Sequence, residues 1–124
     1  MRRAVATVSL SGTLRQKLAA IAAARFDAIE LFENDFIHSA APARDVAAMC
    51  ADLGLAIDLY QPFRDFEGMP EALFAKNLDR AEHKFDLMQQ LGVPLMLVCS
   101  NTSPHALAGA ERAAAQLHAL AERA

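Results

Sequence analysis

Side chains able to bind a small molecule occur at four points of this sequence, each just after a short apolar segment. They carry carboxylate, amide, hydroxyl and guanidinium groups, which together can hold the carboxylate and hydroxyls of a ligand. Ser9 and Ser11 stand at the first point, and the candidates for substrate binding at the other three are Glu33, Asp35, Gln61, Arg64, Ser100 and Asn101. The sequence identifies no catalytic residue and no set of metal ligands.

Arg64 is the first of these candidates because its chemistry is the most specific. A guanidinium can bind a substrate carboxylate through two parallel hydrogen bonds, a geometry that lysine cannot reproduce. The alternative is an exposed ion pair with the neighbouring Asp65 or Glu67, which would contribute little. The residues alone leave both interpretations open.

Glu33 and Asp35 are spaced as a pair of carboxylates that could position substrate hydroxyls or transfer protons. Capping of the next turn is an equally good interpretation of both. Glu30 alternates with Ile29 and Leu31, so its side chain points to the opposite face of the predicted strand. A carboxylate there needs a polar partner, and we expect Glu30 to belong to an interior polar network rather than to act as a catalyst.

The remaining reactive side chains are isolated from one another. His38 and His105 lie in predicted loops and could approach a ligand, but each stands alone. Cys99 ends a predicted strand without an identifiable base beside it, and Cys50 behaves as a small apolar residue of a helix. The cysteines match no metal-binding spacing, so we expect two free thiols.

Four short apolar or β-branched runs predict the strands that would carry these residues. The predicted strands are residues 3–9, 28–32, 55–60 and 95–99. The last run is apolar throughout, which is typical of a strand buried on both faces of a parallel sheet.

The segments between the strands have helical spacing of apolar residues. Thr13 and Gln16 are placed as a capping box, and Gly54 and Gly92 are placed to end helices in the left-handed conformation. Pro70 suits a first helical turn, and residues 33–42 are predicted to be a loop. The predicted helices begin at residue 13, end before residue 54, span 70–91 and span 107–123.

The resulting βαβαβαβα order predicts an α/β fold with parallel strands and helices on the outer face. The first turn, residues 9–13, contains one glycine and is neither a dinucleotide fingerprint nor a P-loop. The alternative is part of a (β/α)8 barrel, which needs about 250 residues. We therefore expect residues 1–124 to form a (β/α)4 half of one TIM-barrel domain.

Composition limits the class of partner. The 124 residues carry 15 acidic and 12 basic side chains, a net charge of −3, with no concentrated basic face. We therefore expect no nucleic-acid and no membrane partner. The apolar stretch after Arg2 and Arg3 is too short for a signal peptide, and no run approaches the roughly 20 residues of a membrane span. A cytoplasmic protein is expected.

Several segments together resemble the N-terminal part of bacterial 3-dehydroshikimate dehydratases, members of the xylose-isomerase-like barrel superfamily. The resemblance extends over essentially the whole chain. Its most specific parts are Phe32-Glu33-Asn34-Asp35 and the stretch from Gln61 to Gly68. The other segments that carry it are ATVSLSGTL, MCADLGL, NLDRAEHKFDLMQQLG and LMLVCSNTSP.

The resemblance implies a lyase of aromatic catabolism that removes water from 3-dehydroshikimate to form protocatechuate. It also implies a divalent metal (Mg, Mn or Co) held by residues of strands five to eight, none of which these 124 residues contain. The chain would then supply the substrate side of the site, bind no metal alone and be inactive alone.

Two other functions stay open. One is a related sugar phosphate isomerase or epimerase. The other is a half-barrel that acts as an assembly partner without catalysis, self-associating through open sheet edges.

Two positions depart from the family pattern after the first helix. Arg25 and Ala28 stand where the family usually has glycine. If residue 25 adopts the left-handed conformation, a side chain there costs about 1 kcal/mol.

Overall fold

The computed structural model describes all 124 residues. Its four strands form one sheet in the order β1-β2-β3-β4. Both β1 with β2 and β2 with β3 pair in parallel. The strands are β1 Ala4–Ala6, β2 Ala28–Phe32, β3 Ala56–Phe63 and β4 Met96–Val98. The predicted parallel α/β order is confirmed.

Five helices connect and follow the strands. A 3-10 turn, Thr7–Ser9, follows β1. None of the helices combines the length and apolar character needed to cross a membrane. The helices are α1 Leu14–Ala23, α2 Glu33–Ser39, α3 Ala43–Asp52, α4 Glu71–Leu91 and α5 Ala110–Arg123.

The predicted start of α1 and both predicted ends of α4 are confirmed by the local geometry. The amide of Gln16 donates to the Thr13 hydroxyl and the amide of Thr13 donates to the Gln16 side chain, so the capping box of α1 is complete. The carbonyl of Pro70 accepts from the amide of Phe74 at the start of α4. Gly92 directly follows the last residue of α4 and has φ 68°, a conformation that glycine adopts without steric cost.

Two predictions about the first half of the chain are wrong. Residues 7–9 form a turn instead of continuing the strand. The buried Thr7 hydroxyl accepts the amide of Phe32, and the Thr7 carbonyl accepts the amide of Leu10. Residues 33–39 form α2 rather than a loop. This segment contains no glycine or proline, and Glu33 and Asp35 in its first turn interact favourably with the helix dipole.

The ends of the later elements also differ from the prediction. β3 continues to Phe63 because its carbonyl accepts the amide of Cys99. α5 begins only after Gly109, whose φ of 128° interrupts the helix. β4 is not buried on both faces, since Leu95 and Leu97 are 59% and 40% exposed.

The chain forms two compact units, each with its own apolar core. The first comprises residues 1–62 and 87–97, and the second residues 63–86 and 98–124. In the first, the fully buried apolar side chains of α1, β2 and α3 include Leu18, Ile21, Ile29, Leu31 and Val46. In the second, Phe66 lies between Phe63 and Phe74, with ring centroids 5.3 and 5.7 Å away.

Arg25 adopts the left-handed conformation, with φ 60°. Its side chain is exposed, and its carbonyl accepts a hydrogen bond from the Arg3 guanidinium. Arg25→Gly keeps this carbonyl and removes the steric cost, so we expect a gain of about 1 kcal/mol in the free energy of unfolding. Urea titration tests this. Ala24→Gly, at the ordinary φ of −78°, is the control and should lower stability; equal effects of the two variants would contradict the prediction.

Cys50 makes stability depend on pH in the alkaline range. Its thiol lies in α3, is 1% exposed, and burial raises its pKa from 9.0 to about 11. The folded state favours the neutral thiol, so this contribution to stability is complete below pH 9 and is lost as the pH rises from 9 towards 11. Between pH 8 and about 11, the free energy of unfolding of Cys50→Ala should decline less steeply with pH than that of the parent chain. Parallel pH profiles would show that the thiol makes no such contribution.

Candidate functional site

Glu30 and Gln61 lie on the same face of neighbouring strands. Phe32 pairs with Gln61 and Glu30 with Leu59, so Glu30 and Gln61 are diagonal neighbours across β2 and β3. The Gln61 Nε2 donates to Glu30 Oε2 over 3.0 Å, and both residues are half-buried. Gln61 thus provides the polar partner that a carboxylate at position 30 requires.

Glu33 is held by a buried tyrosine. The hydroxyl of Tyr60, which is 1% exposed, donates to Glu33 Oε2 over 2.8 Å. Burial raises the pKa of Tyr60 above its ordinary value, and the hydrogen bond to Glu33 and the charge of Glu33 raise it further. The phenol is therefore a fixed neutral donor at neutral pH. Tyr60 pairs with Leu31 and Gln61 pairs with Phe32, so Tyr60 and Gln61 lie on opposite faces of the sheet. We call Glu33 and Tyr60 the Glu33 cluster.

Sequence reasoning missed Tyr60 as a member of this cluster. The signal was available, because Tyr60 is the single tyrosine of the chain and stands beside Gln61. Thr7 was missed as well; its buried hydroxyl fixes the end of β2 by accepting the amide of Phe32 at 3.0 Å. Tyr60 holds the side chain of Glu33, and Thr7 holds the backbone at Phe32, the residue before Glu33.

Asp35 binds a lysine instead of pointing freely to a ligand. Lys17 Nζ of α1 lies 2.9 Å from both Asp35 carboxylate oxygens. The Lys17 and Asp35 side chains are only 7% and 15% exposed. No side-chain hydrogen bond caps α2, so neither Glu33 nor Asp35 acts as its N-cap. The ion pair between Asp35 and Lys17 therefore links α2 to α1.

Arg64 is exposed, and its guanidinium has neither a hydrogen bond nor an ion pair within the chain. The ion pair with Asp65 or Glu67 considered for it does not form. Asp65 Oδ1 accepts the amide of Thr102 at 3.2 Å, and Glu67 Oε1 accepts the amide of Asn101 at 2.7 Å. The guanidinium is therefore available to an anionic ligand. We call residues 64–67 the Arg64 loop.

Asn101 joins two loops through its side chain and its backbone. Its Nδ2 donates to the carbonyl of Glu67, and its Oδ1 accepts the amide of Ser103. Ser100 is exposed, and its hydroxyl makes no hydrogen bond within the chain. Glu67 Oε2 is buried without a partner. Of these two predicted residues, Ser100 is free to meet a ligand and Asn101 is engaged.

The other reactive side chains form no centre. His38 and His105 are exposed, and Cys99 is half-buried with a free thiol. No group of three or more histidine, cysteine, aspartate or glutamate side chains is placed to hold a metal ion. The residues present therefore do not fit a metal site, and we assign no step to a metal.

Arg64 and Glu33 lie in different compact units, and each offers a group of its own to a ligand. Arg64 offers a free guanidinium, which suits a carboxylate. Glu33 offers a carboxylate that is oriented by a neutral phenol and can accept a hydrogen bond from a hydroxyl. The chain contains no nucleophile paired with a base.

Comparison with known proteins gives a family and close relatives. The family model for the xylose isomerase-like TIM barrel matches residues 18–124. The chain is 59% identical over all 124 residues to a 3-dehydroshikimate dehydratase of Pseudomonas aeruginosa. It spans 20% of the length of that relative.

Solved structures show the same fold. A xylose isomerase-like TIM barrel/4-hydroxyphenylpyruvate dioxygenase fusion protein is 58% identical, with a TM-score of 0.96 over 99% of this chain and 20% of that chain. The IOLI protein with a binding zinc atom is 14% identical, with a TM-score of 0.79 over 98% of this chain and 47% of that chain. The parallel four-stranded sheet and its helices thus match half of a TIM barrel, as predicted.

Proposed function

The chain belongs to the xylose isomerase-like TIM barrel family, and we propose that it supplies substrate-binding groups to a 3-dehydroshikimate dehydratase. One observation carries this proposal: 59% identity to such an enzyme over all 124 residues. The reaction would remove water from 3-dehydroshikimate and form protocatechuate.

The proposed roles follow from the chemistry of the substrate, a carboxylate that carries hydroxyl groups. Arg64 would bind the carboxylate through two hydrogen bonds, because its guanidinium is exposed and has no partner in the chain. Glu33 would accept a hydrogen bond from a substrate hydroxyl, with Tyr60 holding its carboxylate in place. Ser100 would contribute a further hydroxyl contact.

A divalent metal (Mg, Mn or Co) belongs to the proposed dehydratase activity, and when bound it would polarise a substrate oxygen. A zinc atom in the IOLI protein, which shares the fold, is compatible with metal use in the family. Because the 124 residues contain no suitable group of ligands, we propose that the metal is held by the part of the longer enzyme that this chain does not match.

A graft tests the proposed function. In this graft enzyme, the 124 residues replace the matching segment of the Pseudomonas aeruginosa dehydratase, and protocatechuate formation is measured by chromatography with added divalent metal. We expect dehydratase activity within about tenfold of the parent enzyme, since only 41% of the replaced residues differ. The isolated 124-residue chain is the control and should form no product.

Two outcomes would contradict the proposal. The first is a graft enzyme that folds, judged by circular dichroism and cooperative unfolding, yet forms no protocatechuate. The second is protocatechuate formation by the isolated chain. A folded graft that instead converts sugar phosphates would favour the isomerase or epimerase alternative.

A second proposal concerns the isolated chain: we propose that it self-associates through the open edges of β1 and β4. These strands end the sheet order, and the apolar Leu95 and Leu97 of the β4 region are exposed. Because all strands are parallel, β4 of one copy can pair with β1 of a second copy, and the same contact repeats symmetrically.

Sedimentation velocity tests this self-association at micromolar concentration. We expect a dimer for the parent chain and a shift towards monomer for Leu97→Lys, because an edge lysine opposes strand pairing. Leu53→Lys, at a similarly exposed leucine that follows α3, is the matched control and should leave the dimer intact. A stable monomer of the parent chain would overturn the proposal.

A further inference from the structure

We infer that Asn77 and Arg80, both on α4, are positioning residues for Arg64. Their side chains hold the backbone carbonyls of three successive residues of the Arg64 loop, which fixes the point from which the Arg64 guanidinium projects. The inference rests on the proposed function, in which Arg64 binds the substrate carboxylate.

Asn77 is the central contact. It is a polar side chain that is only 6% exposed, so its amide must find partners within the protein. Its Nδ2 donates to the carbonyl of Asp65 at 2.7 Å and to the carbonyl of Phe66 at 3.1 Å. One side chain thereby satisfies two consecutive carbonyls of an irregular loop.

Arg80 extends this arrangement to Arg64 itself. Its Nη1 donates to Asn77 Oδ1 at 2.8 Å, and its Nη2 donates to the carbonyl of Arg64 at 3.2 Å. Its guanidinium carbon lies 5.1 Å from the centroid of the Phe63 ring, the residue before Arg64. Arg80 therefore orients Asn77 and binds the Arg64 backbone at the same time.

The Arg64 loop needs such external contacts because its conformation is strained. Asp65 has φ 57°, which costs a residue with a side chain about 1 kcal/mol. Asp65 and Glu67 use their carboxylates to bind the amides of Thr102 and Asn101. Every charged side chain of the loop except Arg64 is thus engaged, and the contacts from α4 leave that guanidinium facing solvent.

A positioning role separates this contact from ordinary core packing. If Asn77 acts through Arg64, its loss weakens binding of the substrate carboxylate and leaves the chemical step largely intact. The effect then disappears once Arg64 is removed, because nothing remains to be positioned. A purely structural contact would lower activity by the same factor whether or not Arg64 is present.

The test is a double-mutant cycle in the graft enzyme, with 3-dehydroshikimate as substrate. We expect Asn77→Ala to raise KM about tenfold and to change kcat less than about twofold, and to have no further effect in the Arg64→Ala background. Arg80→Ala, at an exposed residue that can be replaced without a buried cavity, should raise KM about threefold and also lose its effect in that background.

Gln116 is the matched control. It is another buried amide of the same unit, 7% exposed, and it binds both the amide and the carbonyl of Met69, beyond the Arg64 loop. Gln116→Ala should lower thermal stability to a similar degree as Asn77→Ala while leaving KM within about twofold of the parent value.

The outcomes separate this inference from the proposed function. If Arg64→Ala leaves KM unchanged, the role of Arg64 fails. The positioning role is overturned if Arg64→Ala raises KM but Asn77→Ala and Arg80→Ala do not. It is also overturned if either of these variants raises KM by the same factor in the Arg64→Ala background as in the parent. If Asn77→Ala does not fold, the cycle with Arg80→Ala decides in the same way.

Discussion

Arg64→Ala in the graft enzyme is expected to lower kcat/KM by about 10- to 100-fold, mainly through KM. A hydrogen bond to a charged group contributes about 1.5–3 kcal/mol, which corresponds to this range. The Arg64 guanidinium is exposed and without a partner in the chain. Removing it therefore leaves no buried charge uncompensated, and the loss should fall on substrate binding rather than on folding.

Steady-state kinetics of three variants distinguish the arginine geometry from its charge. Arg64→Lys keeps the positive charge but loses the second hydrogen bond, so it should recover only part of the lost kcat/KM. Arg44→Ala removes an exposed arginine of α3 and should leave both kinetic parameters unchanged. Full activity of Arg64→Lys would refute bidentate binding, and full activity of Arg64→Ala would refute the role of Arg64 altogether.

Lys17→Met is expected to lower the free energy of unfolding by about 3–5 kcal/mol, because breaking a buried ion pair leaves one charge uncompensated. The Lys17 ammonium lies 2.9 Å from both oxygens of Asp35, and the two side chains are almost buried. The Asp35 side chain is 15% exposed, so its carboxylate would lose the partner that compensates for its burial. Urea titration followed by circular dichroism measures the loss.

The double variant Lys17→Met/Asp35→Leu is the control for this prediction. It replaces both charges by apolar side chains of similar size, so its stability should lie close to that of the parent chain. A double variant as unstable as Lys17→Met would show that packing rather than charge explains the loss. The double variant also tests Asp35 as a substrate-binding residue, since in the graft enzyme it should retain the KM of the parent.

Local sequence patterns determined the elements that carry the site. Strand 28–32 agrees with the prediction to the residue, and the capping box of Thr13 and Gln16 forms as predicted, because alternation and capping depend on residues close together in the chain. The family resemblance likewise depends on contiguous segments such as 61–68. The turn at residues 7–9 was not predicted because the Thr7 hydroxyl binds an amide that is distant in the sequence. The helix at residues 33–39 was not predicted because no N-cap side chain marks its start.

The chemistry available at positions 30, 33, 35, 61, 64, 100 and 101 could be read from the sequence, because residue type alone fixes which groups donate, accept or carry charge. Which of these groups have partners elsewhere in the chain was decided only by the tertiary structure. Asp35 meets Lys17 across 18 residues, Glu33 meets Tyr60 across 27, and Asn101 meets Glu67 across 34. Such pairings arise when the sheet and helices pack, and no spacing within one segment specifies them.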